Sequence, residues 1–341
     1  MADMDVFKAD GFSMISMTAA INAQEFLPSF LGDLGLFEPK PIRTEKFEIE
    51  SYDGVLTLIQ SDQRGAPISE QKRELRKVRD FRTVRLARGD TIQASEIQNI
   101  RAFGQESELM QVEAEVARRQ MKLKRDLELT WENMRLGAVQ GIVTDADAST
   151  IYNFFTEFGV SQPSEIDFDL DNASPASGAV RKKCSEVVRA MARAAAGVWI
   201  EGRTYPMGLC GDAFWDDLTG HSEVRETYLQ TQQAADLRQG NAFESFRYGG
   251  ITWVNYRGTD DNSKVAVGTD KAKFFPVEAP GAFEVAFSPA ESFDFVNTPG
   301  LPFYSWPVWD RDRNMWVRIE MASYPMFYPT RPKMLQRAKR T

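Results

Sequence analysis

The spacing of apolar residues changes character several times along the chain, and each change predicts a different element. Residues 1–45 scatter Phe26, Leu27, Phe30, Leu31, Leu34, Leu36 and Phe37 among Pro28, Pro39 and Pro41. Proline fixes φ and lacks an amide hydrogen, so this density predicts an extended arm with one short helix. An arm so rich in large apolar groups needs a covering surface, in this chain or in a neighbouring one. Residues 46–60 then alternate through Phe47, Ile49, Val55, Leu56, Leu58 and Ile59, and residues 78–88 repeat the pattern with Phe81, Val84 and Leu86. With a polar tip around Gly65 and Pro67 between them, they predict a long two-stranded excursion. A lone hairpin is marginal in water, so a brace is expected.

From residue 105 to 140 the period lengthens. Leu109, Val112, Val116, Leu123, Leu127, Trp131, Met134 and Ala138 follow steps of three or four, or seven across Gln120, with charged residues between and no proline. This predicts a helix of about 30 residues, roughly 45 Å long. A short aromatic segment follows at 151–158, and 161–178 is a turn-rich connector that reads as a domain boundary. Beyond it, helices are predicted at 178–198, with Val180, Cys184, Val187 and Met191 on one face, and at about 222–237. Strands are predicted at 203–210, on both sides of Gly249–Gly250, at 282–287 and at 315–322, with a polar loop at 258–270. The pattern shows no regular βαβ alternation, which predicts an α+β fold.

Composition narrows the function. In 341 residues, 43% hydrophobic and 26% charged positions fit a globular protein with a substantial core. Lys and Arg number 41 against 49 Asp and Glu, a net charge of −8. A protein that grips duplex DNA as its main task is usually basic. Two cysteines cannot form a disulfide framework, so a reducing compartment is expected. Asp3, Asp5 and Asp10 occupy the place where a signal peptide carries positive charge. No run of about 18 apolar residues predicts a membrane span.

Candidate chemistry is sparse. The single histidine, His221, rules out a metal centre needing two imidazoles from one chain. Its context, DDLTGHSEVRE, predicts a surface turn beside a helix start at Ser222. Cys184 lies on an apolar helix face and reads as an inert core thiol. Phosphate-loop and nucleophile-elbow patterns are missing. Asp145-x-Asp147-x-Ser149 and Asp310-x-Asp312-x-Asn314 imitate calcium loops, but their sixth positions are Thr150 and Met315 and their twelfth Thr156 and Met321, where Gly and Glu are needed. No catalytic residue, metal or cofactor is therefore assigned. One charge cluster stands out: Lys72, Arg73, Arg76, Lys77, Arg79, Arg82, Arg85 and Arg88, opposed by Glu74 and Asp80. It could bind nucleic acid, protect a strand edge, or meet an acidic face on another copy. The need for a brace and the glutamates of the long helix favour the last.

The layout of arm, hairpin, long helix and mixed remainder resembles the HK97-type major capsid proteins of tailed bacteriophages. The C-terminal run NTPGLPFYSWPVWDRDRNMWVRIEMASYPMFYPTRPKMLQR is similar to the end of the lambda-like (E family) capsid proteins, through Asn297, Thr298, Gly300, Leu301, Pro302, Phe303, Tyr304, Pro325, Arg331 and Pro332. The resemblance implies an N-terminal arm at 1–45, an E-loop at 46–100, a spine helix with peripheral domain at 101–177, an axial domain at 178–305, and a C-terminal strand region at 306–341 returning to the peripheral domain. It implies a shell protein, not an enzyme, that assembles hexamers and pentamers of an icosahedral head enclosing double-stranded DNA. Contacts between subunits are expected from the E-loop cations, from Phe26, Leu27, Phe30 and Leu31 of the arm, and from Glu106, Glu108, Glu113 and Glu115 of the spine helix. Expected partners are other copies, a separate scaffolding protein, a portal, a decoration protein and DNA bound without sequence specificity, but no membrane. Assembly would occur in host cytoplasm and the product reside in the virion. Lys72 and Lys77 are E-loop lysines, but nothing marks a partner Asn or catalytic Glu, so no isopeptide cross-link is expected. An encapsulin-like nanocompartment and a soluble α+β enzyme are the alternatives.

Overall fold

A computed structural model describes residues 30–52, 76–99, 108–172, 174–195, 197–229, 245–256 and 265–341. The chain divides into two compact units, both discontinuous in sequence. The first takes residues up to Phe47, then 82–136 and 284–327, and the second takes 48–81, 137–283 and 328–341.

In the first unit an antiparallel sheet orders Tyr304–Trp309, Trp316–Ser323 and Leu86–Gln93. Val317, Ile319 and Met321 alternate onto one buried face. A second sheet orders Glu38–Pro41, Phe283–Phe287 and Pro325–Pro329. Glu38–Pro41 pairs in parallel at the edge, the position where Pro39 and Pro41 are tolerated.

The predicted long helix is Glu108–Gln140, 33 residues and roughly 50 Å. Its side chains are described from Glu115 onward. Val116, Leu123, Leu127, Trp131, Met134 and Ala138 are buried, as their spacing predicts. Trp131 stacks on Phe303 at 4.4 Å and 8°, with Phe287 at 5.4 Å and Phe327 at 5.8 Å. The polar side of this helix is not all solvated: Glu115, Lys124, Glu128, Glu132 and Arg135 are also buried. They are kept there in helical pairs, Lys124 4.0 Å from Glu128 and Arg135 3.4 Å from Glu132. Lys124 also lies over Phe303 and Arg135 over Phe327.

The single strand expected at 78–88 is two. Arg76–Arg82 pairs with Lys46–Tyr52, whereas Leu86–Gln93 joins the first unit's sheet. Between them, the Thr83 amide turns to Glu45 and the Val84 amide to Pro325, which breaks the ladder. The base of the hairpin finds its brace inside the second unit. Phe81 is fully buried against Tyr152, Phe154 and Phe158, at 5.5, 6.0 and 6.0 Å.

The second unit is built on a six-stranded mixed sheet, ordered Ile166–Asp167, Gln336–Lys339, Lys271–Val277, Tyr205–Cys210, Ile251–Asn255 and Ser245–Tyr248. Tyr205–Cys210 and Ile251–Asn255 run parallel, and Ser245–Tyr248 folds back through Gly249–Gly250, both at positive φ. Helix Ala179–Ala194 buries Val180, Cys184, Val187 and Met191 in the core of this unit. Helix Asp212–Gly220 adds Phe214, Trp215 and Leu218. Trp253 sits at the centre, ringed by Phe168, Phe214 and Phe274 within 5.9 Å.

His221 departs from its predicted surface position. It is 7% exposed, because it closes helix Asp212–Gly220 and its Nδ1 accepts the Glu223 amide of helix Ser222–Leu229. The part of the predicted 222–237 helix after residue 229 lies outside the described residues.

Candidate assembly surfaces

The arm is tied to its own chain from Phe30 onward. Phe26 and Leu27 lie outside the described residues; Phe30 and Leu31 open the short helix Phe30–Asp33. Leu31 is 0% exposed and its amide donates to Glu132 Oε1 at 2.9 Å, so its side chain is consumed within the subunit. Phe30 is half-buried. Phe37 packs edge-on against Phe327 at 5.2 Å, and Lys40 pairs with Glu284.

The predicted cation strip is divided by the break after Arg82. Lys72 and Arg73 lie outside the described residues, and Arg76 and Lys77 are placed as strand backbone only. Arg79 is half-buried and Arg82 exposed. Arg85 pairs with Glu291 at 3.1 Å, and Arg88 pairs with Asp126 at 2.8 Å from a strand of the first unit. Arg85 and Arg88 are thus already partnered on their own subunit.

Of the glutamates expected to form an acidic face on the long helix, only Glu115 has a described side chain. Glu106 lies outside the described residues, and Glu108 and Glu113 are placed as helix backbone. Glu115 is buried and accepts from Arg118 at 2.8 and 2.7 Å and from Arg119 at 2.8 Å. Hydrogen bonds from Arg118, reinforced by Arg119, hold its carboxyl below the ordinary carboxylate range against the opposing effect of burial. Arg119 continues the network to Asp90 at 2.8 Å and Glu96 at 2.7 Å. What this stretch of helix leaves exposed is Arg118, Lys122 and Arg125, interleaved with Met121 and Leu129. Met121, Lys122 and Arg125, with Asp90, Arg118 and Arg119, line an open cleft of about 510 Å³.

A third surface lies outside the elements that the sequence pattern predicts. Residues 291–301 form a loop that is fixed from below and apolar above. Ser292 caps the 3-10 turn Phe293–Phe295, Phe295 is buried against Tyr304 at 5.0 Å, and Thr298 Oγ1 donates to the Phe295 carbonyl at 2.7 Å. The Gly300 amide donates to the Ile42 carbonyl at 2.9 Å, and the Leu301 amide to Tyr304 Oη at 2.7 Å. Asn297 takes a left-handed φ of 61°, which asparagine tolerates. Above this scaffold Phe293 is 97% exposed and Val296 56%, with Leu301 beside them in sequence at the exposed margin. Most of the Asn297–Pro302 signature therefore serves to shape a loop.

The two calcium-like stretches are tight acidic turns. Asp147 Oδ1 accepts the Ser149 amide and hydroxyl, and Asp310 accepts the amides of Asp312, Arg313 and Met315. Among the described residues no group of three or more His, Cys, Asp or Glu is placed to hold a metal ion. Nor is any described helix long and apolar enough to cross a membrane. Cys184 and Cys210 are buried free thiols; burial, with the Glu223 charge nearby, pushes Cys184 up to about 12.

Comparison with known proteins places this arrangement. The family model described as phage major capsid protein E matches residues 13–340. The chain belongs to the phage major capsid protein E family. It is 27% identical over 358 aligned positions to the major capsid protein of Salmonella phage Felix O1 (isolate Felix O1-VT1), covering 95% of both chains. It is 26% identical over 304 positions to the major capsid protein of Pseudomonas phage KPP10, covering 80% of this chain and 81% of that one. A crystal structure assigned to a prophage capsid protein (E. coli CFT073) matches with a TM-score of 0.56 at 12% identity, over 96% of this chain and 99% of that one. The expected HK97-type α+β fold is thereby met. Capsid proteins assemble with other copies into shells, so exposed surfaces are the functional sites to look for. The exposed loop, the basic helix stripe and the hairpin are the surfaces to consider.

Proposed function

We propose that this chain is the major structural subunit of a phage head, assembling as hexamers and pentamers into an icosahedral shell around double-stranded DNA. The observation that carries the reading is the match of residues 13–340 to the capsid protein E family. The relatives it resembles along its length are phage major capsid proteins, which favours a virion shell over a nanocompartment. The physical chemistry fits: a net charge of −8 suits a container whose wall must not hold packaged DNA, since phosphate binding depends on cationic surface.

On this reading the hairpin from Lys46–Tyr52 and Arg76–Arg82, anchored at its base by Phe81, carries Lys72, Arg73, Arg76 and Lys77 out to an acidic surface of a neighbour. The sequence offers Glu106, Glu108 and Glu113 at the start of the long helix for that contact. Phe26, Leu27 and Phe30 of the arm cover a neighbouring copy. Single surface ion pairs contribute little affinity, so these contacts set register and selectivity. A separate scaffolding protein directs curvature, a portal occupies one vertex and a decoration protein reinforces the lattice, with assembly in the host cytoplasm. The test is expression of the full chain with its neighbouring genes, followed by size-exclusion chromatography with light scattering and negative-stain imaging. Closed shells or capsomers are expected; a monomer at every concentration, with no particles on co-expression, overturns the reading.

A further inference from the structure

The loop at 291–301 presents an unusual combination. Phe293 is almost wholly in water, yet the backbone beneath it is held by a buried aromatic pair, a side-chain cap, a long-range amide hydrogen bond from Gly300 to Ile42 and a local one from Leu301 to Tyr304. A fixed phenyl group in solvent forgoes the stabilisation that burying it would bring and marks an interaction surface when apolar neighbours surround it. Val296 and Leu301 add further exposed apolar groups to the same loop. The charges on the loop are Glu291 and Asp294, and residues 291–301 contain no Lys, Arg or His. Its partner should therefore be apolar and basic.

The same chain carries such a surface. On the long helix, Arg118, Met121, Lys122, Arg125 and Leu129 recur at three- and four-residue steps and are all exposed. The exposed charges on this stretch are all positive, because Glu115 turns inward to Arg118 and Arg119. The cleft of about 510 Å³ beside Met121 and Arg125 gives an aromatic ring a concave seat. Cations over an aromatic face add to apolar burial there. Glu291 can exchange partners at little cost, since it and Arg85 are both more than half exposed.

We propose that residues 291–301 of one copy dock on a second copy of this chain, seating Phe293 against the helix stripe Arg118–Met121–Lys122–Arg125–Leu129. The inference rests on the assembly reading above and names one contact within it. It is a heterologous contact, with unlike patches meeting, the type that closes into rings and extends lattices.

The test pairs charge reversal with cross-linking in the assembling system. Phe293→Ser and Asp294→Lys should each retain the wild-type melting temperature, because both side chains are exposed, while lowering particle yield by about tenfold or more. Lys122→Glu with Arg125→Glu should do the same. Combining the helix reversals with Glu291→Lys and Asp294→Lys should recover part of the lost particle yield. In an otherwise wild-type background, Glu291→Cys and Met121→Cys should give an intersubunit cross-link with a short bismaleimide in assembled particles, the native thiols being buried. If wild-type chains form no particles, the assembly reading fails and this contact with it. If wild-type chains assemble but the loop variants assemble equally well, the contact alone is overturned. Normal shells that have lost a decoration protein would reassign the loop to that partner, and also overturn it.

Discussion

Gly300 offers the sharpest test of why this loop has its shape. A β-carbon built there would lie 2.1 Å from the Phe287 carbonyl oxygen and 2.4 Å from its carbon, both backbone atoms. Reaching even a tight contact requires a movement of about 1 Å, and neither side is a free side chain. The Gly300 amide bonds the Ile42 carbonyl at 2.9 Å, the Ile42 amide bonds that same Phe287 carbonyl at 2.8 Å, and the Ser288 amide bonds Tyr324 at 3.1 Å. A displacement of about 1 Å takes one or two of these beyond hydrogen-bonding distance. Each buried amide left without its partner costs about 1–3 kcal/mol. Gly300→Ala should therefore destabilise by about 2–5 kcal/mol, a loss read from the urea midpoint at constant slope. Gly220→Ala is the internal control. Gly220 ends a helix at ordinary φ with nothing within 4 Å of an added methyl, so alanine there should be neutral or stabilise by about 0.4–1 kcal/mol. If Gly300→Ala falls within about 0.5 kcal/mol of wild type, the close approach is not what selects glycine, and the account of the signature is wrong.

Three further outcomes follow from the packing. Trp131→Ala, which removes the ring stacked on Phe303, should cost about 3–5 kcal/mol by chemical denaturation, and Trp131→Phe clearly less; equal costs would deny the ring a filling role. Glu115→Gln should lower the melting temperature at pH 7. Because folding depresses the Glu115 pKa, its contribution is complete above the unfolded value of about 4.3 and is lost as pH falls through the folded one. The gap between wild type and Glu115→Gln should therefore narrow in acid; a gap that does not change with pH refutes the ion network as its source. Cys184 and Cys210 should resist a thiol reagent at pH 8 in the folded chain and react fully in urea. Rapid labelling of the native chain would show that this core opens readily.

The sequence made the long helix legible because 33 residues supply enough repeats of one period to outweigh interruptions. Helix Ala179–Ala194 was equally clear from Val180, Cys184, Val187 and Met191. Helix Asp212–Gly220 was not, since nine residues with three acids give barely two turns of pattern. Lys271–Val277 lies just beyond a segment read as polar loop; its KAKFF start hides a strand with neighbours on both edges. The break between Arg82 and Leu86 was invisible because the Val84 amide is captured by Pro325, about 240 residues away in sequence. Local pattern cannot register such a partner. For the candidate surfaces, charge counts misled where burial intervened: Glu115 looked available and is consumed by its own helix. Phe293 carried a usable signal, an apolar FDFV run before an Asn-Thr-Pro-Gly turn with no period to bury it.

That inward turn of Glu115 changes the electrostatic logic of the long helix. The sequence places Glu108 and Glu113 in its first turns, whereas the exposed charges from Arg118 to Arg125 are basic. One element thus carries an acidic section followed by a basic one within about 30 Å. On the two proposed contacts, the basic hairpin belongs on the first section and the acidic, phenyl-bearing loop on the second. Shifting a neighbour along the helix so that the hairpin met Lys122 and Arg125 would oppose like charges, and like-charge juxtaposition discriminates more strongly than single exposed pairs attract. The pattern therefore acts chiefly against wrong registers. Reversing Lys122 and Arg125 should do more than weaken the loop contact. It extends the acidic section, gives the hairpin a second place to bind, and should shift the products from closed shells toward irregular assemblies visible by negative stain.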